Sequence, residues 1–459
     1  MYHYIRHILT LLVLCLFIIF VGVGSGSIRL DNKPHKIIDP FKEYGTFWAC
    51  ILLFIRFLPV ITLPLALFNF LGIVCFNTHP VKPALKASVL FGPFLCFRVV
   101  TRGMFPALVK RNVERNIEKC IKLGLTNFVF EIATDSSIGI QSSGQVREIV
   151  VPEKYQTKNG TLYKARALQY CLEEEVNILS DNDWIIHLDE ETLITENSLI
   201  GIINFINDGT YSFGQGVITY ANEEIVNWFT TLADSIRVGM DYGIIRFTLG
   251  ALHRPLFSWK GSFVVSNVKA ERDITYDFGK NGSIAEDCFF ALHAWNKGYK
   301  FGWIQGEMWE KSTFTVSDFI KQRKRWVQGI IMALLHSDIS LKYKIGILNI
   351  IVSWYVMPLS TLNLILIPLF NFTVSPIINC ILLFVGGFMT FLFTFGAVKS
   401  FSSKRHTLLL IVLVIVIVIM IPVFTMVETI AVVWAVCSRQ GGFHIVKKDI
   451  QESPIMSTV

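Results

Sequence analysis

Trp184-Ile185-Ile186-His187-Leu188-Asp189-Glu190-Glu191 is the stretch on which the fold turns. A short, mostly apolar run that stops abruptly at acids has the length of a buried strand. Working back toward the N-terminus, residues 163–175 carry apolar side chains at helical spacing. Residues 127–133 form a second apolar run, closed by Thr134-Asp135-Ser136. Residues 108–123 are again helical in period and stop at Gly124, and residues 94–100 read as a first strand. The order strand, helix, strand, loop, helix, strand predicts an α/β domain on a parallel sheet. Ligands bind such sheets beyond the carboxyl ends of the strands, where Asp135 and Asp189 both fall.

Three constellations carry chemistry. Asp189 and Glu191, at i and i+2 after a strand, can reach one divalent cation together. Hard oxygen ligands suit Mg²⁺ or Mn²⁺, which also take diphosphate oxygens. An acidic surface loop would show the same three residues. Glu286-Asp287 precedes the apolar run Cys288-Phe289-Phe290-Ala291-Leu292. Two acids there either cap a helix, stabilised by its macrodipole, or place a general base at the mouth of the sheet. Gln322-Arg323-Lys324-Arg325-Trp326 is flanked by Val316, Phe319, Ile320, Val327, Ile330 and Ile331 at helical spacing. That is an amphipathic helix next to a membrane, with a basic face for headgroups or an arginine for a phosphate.

Composition sets the frame. Only 17% of the 459 residues are charged, below the quarter or so usual in soluble domains, and mean hydropathy is +0.51. The deficit is confined to the two ends. Residues 1–76 predict two transmembrane helices (8–23 and 47–75), with Arg56 inside the second. Residues 77–344 form one large central domain with a membrane-proximal helix. Residues 345–436 predict about three more spans, 345–370, 377–398 and 408–436, each long enough for a hydrocarbon core of about 30 Å. Residues 437–459 are a polar tail. The first span reads as a retained anchor; a cleaved signal peptide has a similar pattern. Pro422 and Glu428 leave open whether the last span crosses once or re-enters. The net charge of +7 sits largely beside apolar segments, at Lys399, Lys404, Arg405, Lys447 and Lys448. Anionic lipid explains it and nucleic acid is not an expected partner. The basic loop 399–406 predicts that the central domain lies in the cytosol; the expected setting is an ER or Golgi membrane. None of the nine cysteines forms a CxxC pair, which argues against a disulfide framework or a zinc site.

Together these motifs resemble the D…DxD…(E/D)D…QxxRW series of family 2 inverting glycosyltransferases. Asp189-Glu190-Glu191, Glu286-Asp287 and Gln322-x-x-Arg325-Trp326 follow that order across the central domain, and Tyr163 to Gln169 resembles the family's K-A-x-A-L-N helix. Two departures stand out: Gln169 where Asn is usual, and Glu191 where Asp is usual. Arg98-Val99-Val100-Thr101-Arg102-Gly103, Arg147 to Pro152, His187 to Thr192 and Ala285 to Phe290 are similar to the egghead-type β-1,4-mannosyltransferases of invertebrates. So is Gly214-Gln215-Gly216 with Thr219 to Asn222.

This resemblance implies a GT-A fold framed by transmembrane helices, and inverting transfer of mannose from GDP-mannose to the 4-hydroxyl of glucosylceramide, held in the lipid bilayer. It implies that Thr101, Arg102, Asp135, Lys164 and Arg325 bind the nucleotide sugar, and that Asp189 and Glu191 hold a divalent cation, Mg or Mn. Asp287, with Glu286, is implied as the catalytic base, and Gly261, Ser262, Gln322 and Trp326 as the acceptor wall. Two other classes share some features. A processive polysaccharide synthase also carries QxxRW but needs a polymer channel. A multi-pass receptor or transporter needs functional polar groups within its spans, for which Arg56 and Glu428 are the candidates.

Overall fold

A computed structural model describes residues 1–25, 27–28, 38–89, 92–401 and 407–438. Lys404 and Arg405 of the basic loop, and the tail with Lys447 and Lys448, lie outside the described residues. The chain begins with helices α1 (Tyr2–Gly24), α2 (Pro40–Phe57) and, after a tight turn at Leu58–Thr62, α3 (Leu63–Cys75). The central domain follows as β1 (Leu95–Thr101), α4 (Pro106–Lys122), β2 (Phe128–Thr134), β3 (Val146–Val150), α5 (Tyr163–Tyr170), β4 (Trp184–Asp189), α6 (Glu196–Asp208) and β5 (Phe213–Thr219). Short helices α7 (Trp228–Ala233), α8 (Ser235–Met240) and α9 (Arg246–Gly250) lead to β6 (Val264–Asn267), α10 (Val268–Ile274), α11 (Gly279–Gly282), α12 (Glu286–Asn296), β7 (Phe301–Trp309) and α13 (Val316–Leu335). The chain closes with α14 (Leu341–Thr361), α15 (Asn363–Leu369), α16 (Pro376–Phe401) and α17 (Thr407–Cys437).

The sheet has seven strands in the order β3-β2-β1-β4-β6-β5-β7. Strands β3, β2, β1 and β4 are parallel, as the sequence predicts, but β6 is antiparallel to both β4 and β5. The sheet is therefore mixed. The segment before β6 passes the Gln215 side chain, which accepts the Lys260 backbone N–H, and β6 starts at Val264 opposite Gln215 of β5 and His187 near the carboxyl end of β4, from where it runs back against both strands. Apolar residues of β1, β2 and β4, among them Phe97, Phe128, Phe130 and Ile186, are essentially fully buried and pack with α4 and α6.

Within this core runs a row of charge that the sequence alone did not reveal. Arg147, Glu131, Arg98 and His187 stand side by side on four adjacent strands. Arg98, wholly buried, pairs with Glu131 at 2.8 Å and with Glu271 of α10 at 3.3 Å. Arg147 bridges to Glu131, and His187 to Glu271 at 2.7 Å. Burial alone would raise the pKa of Glu131, but Arg98 and Arg147 outweigh it and hold the carboxyl below its usual range. A one-residue slip of any of these strands would bury an unpaired charge, so the row fixes register.

Five helical stretches are long and apolar enough to cross a membrane: Tyr2–Gly24, Pro40–Cys75, Leu341–Leu369, Pro376–Phe401 and Thr407–Cys437. Two are less regular than the sequence predicts. Pro59 and Pro64 lack the N–H that a helix interior needs, and the chain tightens into the turn at Leu58–Thr62. Pro358 and Pro368 flank a similar break at Leu362. Helix α17, by contrast, continues through Pro422.

The bundle has two ends. At one, the side chains of His7 and His3 meet Thr78 and His79, where α3 feeds the central domain, and Lys399 of α16 reaches the Thr78 carbonyl. At the other, Ser27 meets Asn379, Tyr44 meets the Asn371 carbonyl, and Ile38 meets Thr373. Helix α17 runs in the same direction as α13: Arg323 meets Glu428, and Gln328 meets the carbonyls of Ala435 and Ser438. Since Gly329 packs on Ala285 of the central domain, the last turn of α17 sits beside that domain.

Candidate active site

The carboxyl ends of β1, β2 and β4, the start of α12 and the middle of α13 surround one cavity of about 750 Å³. Thr101, Arg102, Asp135, Lys164, Asp189, Glu191, Gly261, Ser262, Glu286, Asp287, Gln322, Arg325 and Trp326 all line it. The sequence motifs, scattered over nearly half of the chain, thus converge on one cleft.

Asp189 is the last residue of β4. Its backbone N–H is held by the hydroxyls of Thr192 (3.1 Å) and Ser262 (3.2 Å), which also bond each other at 2.8 Å. The Ser262 hydroxyl is thereby committed to shaping the turn after β4. Glu190 is tied to β1 and α4 at the cleft wall: it accepts the Thr101 hydroxyl at 2.5 Å, and its carbonyl accepts the Asn112 amide at 3.0 Å. With Glu190 buried, the partly exposed Asp189 and Glu191 are the two acids left facing the cleft.

Lys164 stands on the first turn of α5. Its ammonium donates to Asp189 Oδ1 at 2.6 Å and to the Gly261 carbonyl at 3.0 Å, and lies 3.7 Å from Glu286 Oε1. Burial pushes its pKa down, but the carboxylates of Asp189, Glu286 and Asp287 outweigh that and keep it firmly charged. Gly261 leaves room for this junction. A Cβ there would lie 3.1 Å from Lys164 Nζ, 3.4 Å from Asp287 Oδ2 and 3.5 Å from Glu286 Oε1. Tyr163, Ser258 and Phe263 have positive φ (55°, 98° and 51°), so backbone strain gathers in the two segments that meet over this junction.

Asp287 occupies the first turn of α12, where its Oδ1 accepts the Cys288 N–H at 2.7 Å. Helix geometry favours an anion here, yet burial and the neighbouring Glu286 push its pKa up to about 7. Lys164 and Arg325 pull the other way without cancelling the effect. A carboxyl poised near neutrality is suited to accept a proton. Asp135 sits at the opposite end of the cleft, bonded to Arg166 at 2.8 Å and 3.5 Å from Arg102.

On the membrane side, Trp326 is flanked by two guanidiniums, Arg323 at 4.3 Å and Arg237 at 4.6 Å from its ring centroid. Arg323 bonds the buried Asp234 at 2.5 Å and Glu428 of α17 at 2.8 Å. Glu428, a candidate transport residue in the sequence, is thus a structural partner of the site. Arg56 stacks near Phe372 (5.9 Å), at the far end of the bundle from the cleft.

This cleft belongs to a chain with clear relatives. Residues 184–437 match the family described as glycosyl transferase family group 2. The β-1,4-mannosyltransferase egh of Drosophila melanogaster is 47% identical over 97% of this chain and 98% of its own. The β-1,4-mannosyltransferase bre-3 of Caenorhabditis elegans is 46% identical over 97% of this chain and 99% of its own. The chain belongs to glycosyl transferase family group 2, among its β-1,4-mannosyltransferases. Among solved structures, the mannosyltransferase PcManGT from Pyrobaculum calidifontis, in complex with GDP-Man and Mn²⁺, aligns with a TM-score of 0.49 at 10% identity, covering 85% of this chain and 99% of that one.

Several residues of this family member's cleft escaped the sequence reading. Glu310, one residue past β7, accepts the Thr192 hydroxyl at 2.6 Å, and burial together with the charge of Asp189 raises its pKa. Its signal was available, since it stands just past the largely apolar run 301–309, much as Asp189 closes β4. Asp234 and Arg237 had no such signal, because Asp234 joins two short helices and Arg237 lies in the second, neither long enough for clear periodicity.

Proposed function

We propose that this mannosyltransferase moves mannose from GDP-mannose, with inversion, to the 4-hydroxyl of a glucosylceramide held in the bilayer. The observation that carries the proposal is the meeting, in one cavity, of a carboxyl poised near pH 7, a lysine–carboxylate junction at a strand end, and the walls of the helix bundle.

The donor lies across the carboxyl ends of the strands. Asp135, Arg102 and Thr101 face the nucleoside, while Lys164 and Arg325 face the diphosphate. Asp189 and Glu191 would hold a divalent cation. Among the described residues no cluster of three or more His, Cys, Asp or Glu forms a closed cage. Two carboxylates facing an open cleft nonetheless fit Mg²⁺ or Mn²⁺, which usually share one or two carboxylates with substrate phosphates and water. The ion's chemistry would be to neutralise charge on the leaving diphosphate.

Asp287 accepts the proton of the acceptor 4-hydroxyl as that oxygen forms its bond to the anomeric carbon. The bond from that carbon to the phosphate oxygen breaks, and its electron pair leaves with GDP. One displacement from the opposite face inverts the anomeric centre. Arg325 and Lys164 stabilise charge where it develops. Glu286 sets the basicity of Asp287. Gly261 leaves space for the acceptor sugar, Ser262 shapes the turn beneath it, and Gln322 and Trp326 form its membrane-side wall.

A cytosolic catalytic domain on an ER or Golgi membrane is part of the proposal. Arg6, Lys342, Lys344 and Lys399 gather at the domain end of the bundle, as the positive-inside bias requires. The test is turnover of GDP-α-mannose by purified enzyme, with the product linkage read by NMR. A β-mannoside formed only with a divalent cation is expected; an α-mannoside, or undiminished turnover in chelator, overturns the mechanism.

A further inference from the structure

The cavity does not end at the catalytic cleft. It continues into the helix bundle between the turn at Leu58–Thr62, α14, α16 and α17. On α14 its wall runs from Ile350 through Ser353 and Met357 to Thr361, always on one helical face. That run is about 16 Å long at about 1.5 Å per residue, close to the depth of one leaflet of a hydrocarbon core of about 30 Å. On α16 the wall reaches Val385 and goes no deeper, although the helix begins at Pro376. The extension is thus about one leaflet deep and stops short of the far end, unlike a channel for a growing polymer.

Its polar atoms point to what it takes. Thr361, Thr390 and Thr425 line it, and each hydroxyl is satisfied at 2.8 Å by a carbonyl one turn back on its own helix. Two serines on α14 behave differently. Ser353, 7% exposed, and Ser360, two turns further on, have buried hydroxyls that find no hydrogen-bond partner among the described residues. Both line the cavity. A hydroxyl left unpaired among apolar walls is costly unless a ligand supplies the missing bond.

We infer that this extension seats the acceptor lipid below its sugar: Ser353 and Ser360 bond an amide- and hydroxyl-bearing lipid backbone, and the apolar walls receive one hydrocarbon chain. The inference rests on the proposed transfer to a membrane glycolipid. It adds a site for the part of the acceptor that does not react, and makes the enzyme select its acceptor by lipid as well as by sugar. Arg325, Trp326 and Asp287 line the same cavity, so a lipid seated there presents its headgroup sugar to the catalytic end.

Two measurements test it. In the first, a β-glucosylceramide with a photoreactive acyl chain is irradiated in vesicles holding the full chain, and labelled peptides are identified by mass spectrometry. Labels on α14 and α16 around Met357 and Met389 are expected; labels confined to lipid-facing surfaces such as Leu359 and Ile365 would overturn the inference. In the second, Ser353→Phe and Thr390→Phe fill the extension, and Ser353→Ala removes one hydroxyl. Both phenylalanine variants should raise KM for long-chain β-glucosylceramide at least tenfold while leaving transfer to methyl β-glucoside, which has no chain, unchanged. Ser353→Ala should raise the glucosylceramide KM by about two- to tenfold, the range for one lost neutral hydrogen bond, and leave KM for an alkyl glucoside unmoved. Wild-type KM for glucosylceramide in both phenylalanine variants would refute the lipid site. Wild-type enzyme that labels inside the extension yet mannosylates no glucoside would instead refute the proposed reaction and leave the lipid site standing.

Discussion

Asp287→Asn and Glu286→Gln, compared across pH, probe the proton-accepting carboxylate. Asp287 must be ionised to act, and burial with the Glu286 charge lifts its pKa to about 7. The active fraction in the free enzyme therefore falls as pH drops: to about one half at pH 7, and about one tenth at pH 6. Wild-type kcat/KM should show an acidic limb of that shape, since this parameter reports the free enzyme. Glu286→Gln removes the charge that raises Asp287, and should move the limb to lower pH. Asp287→Asn should lower kcat/KM by about 10²–10⁴-fold, the usual share of a general base, and abolish the limb. The assay is initial-rate transfer of labelled mannose by purified protein in nanodiscs, with circular dichroism as a folding control. A limb that persists in Asp287→Asn, or that stays in place in Glu286→Gln, would falsify the assignment of the base.

Other consequences follow from particular contacts. Gly261→Ala brings a methyl 3.1 Å from Lys164 Nζ; the chain should still fold, because a flexible side chain can yield, but the shifted ammonium should cost about 10² in kcat/KM. Arg98→Leu removes the guanidinium shared by Glu131 and Glu271, leaving Glu131 only Arg147 and Glu271 only His187 in the core, and should destabilise the protein by about 3–5 kcal/mol, read as a lower thermal inactivation temperature in detergent. Arg323→Met takes the closer of two guanidiniums from the buried Asp234, leaving it Arg237 at 3.5 Å and the Ser312 hydroxyl, and unties α17 from α13. A comparable loss of stability is expected, and unchanged inactivation would mean that the Asp234–Arg323–Glu428 chain is not a structural tie. Asp189→Ala should abolish the stimulation of turnover by Mn²⁺; stimulation equal to wild type would remove Asp189 from the cation site.

The sequence carried much of the fold because its signals were local. An apolar run stopping at acids marked β4, and Gly124 ended α4 close to where the spacing placed the stop. The antiparallel β6 was beyond reach, as four residues of strand carry no direction. The row Arg147–Glu131–Arg98–His187 was equally hidden: each charge sits inside an apolar strand, and only pairing between strands brings the four together. At the site, motif residues were legible as types but not as states. Nothing in Asp287-Cys288 announces a pKa near 7, which arises from burial and from Glu286, and nothing in Ser262 announces that its hydroxyl is spent on the Asp189 turn. The unpaired hydroxyls of Ser353 and Ser360 read in sequence as ordinary polar interruptions of an apolar helix.

The central claim is the transfer of mannose from GDP-mannose to a glucosylceramide. Purified enzyme in vesicles containing β-glucosylceramide can be offered GDP-mannose, GDP-fucose, UDP-glucose and UDP-N-acetylglucosamine, each labelled in the sugar, with Mn²⁺ present. The account predicts label in the lipid phase from GDP-mannose alone, as a β1,4-linked mannosyl-glucosyl lipid. Transfer from a UDP-sugar with none from GDP-mannose would contradict it.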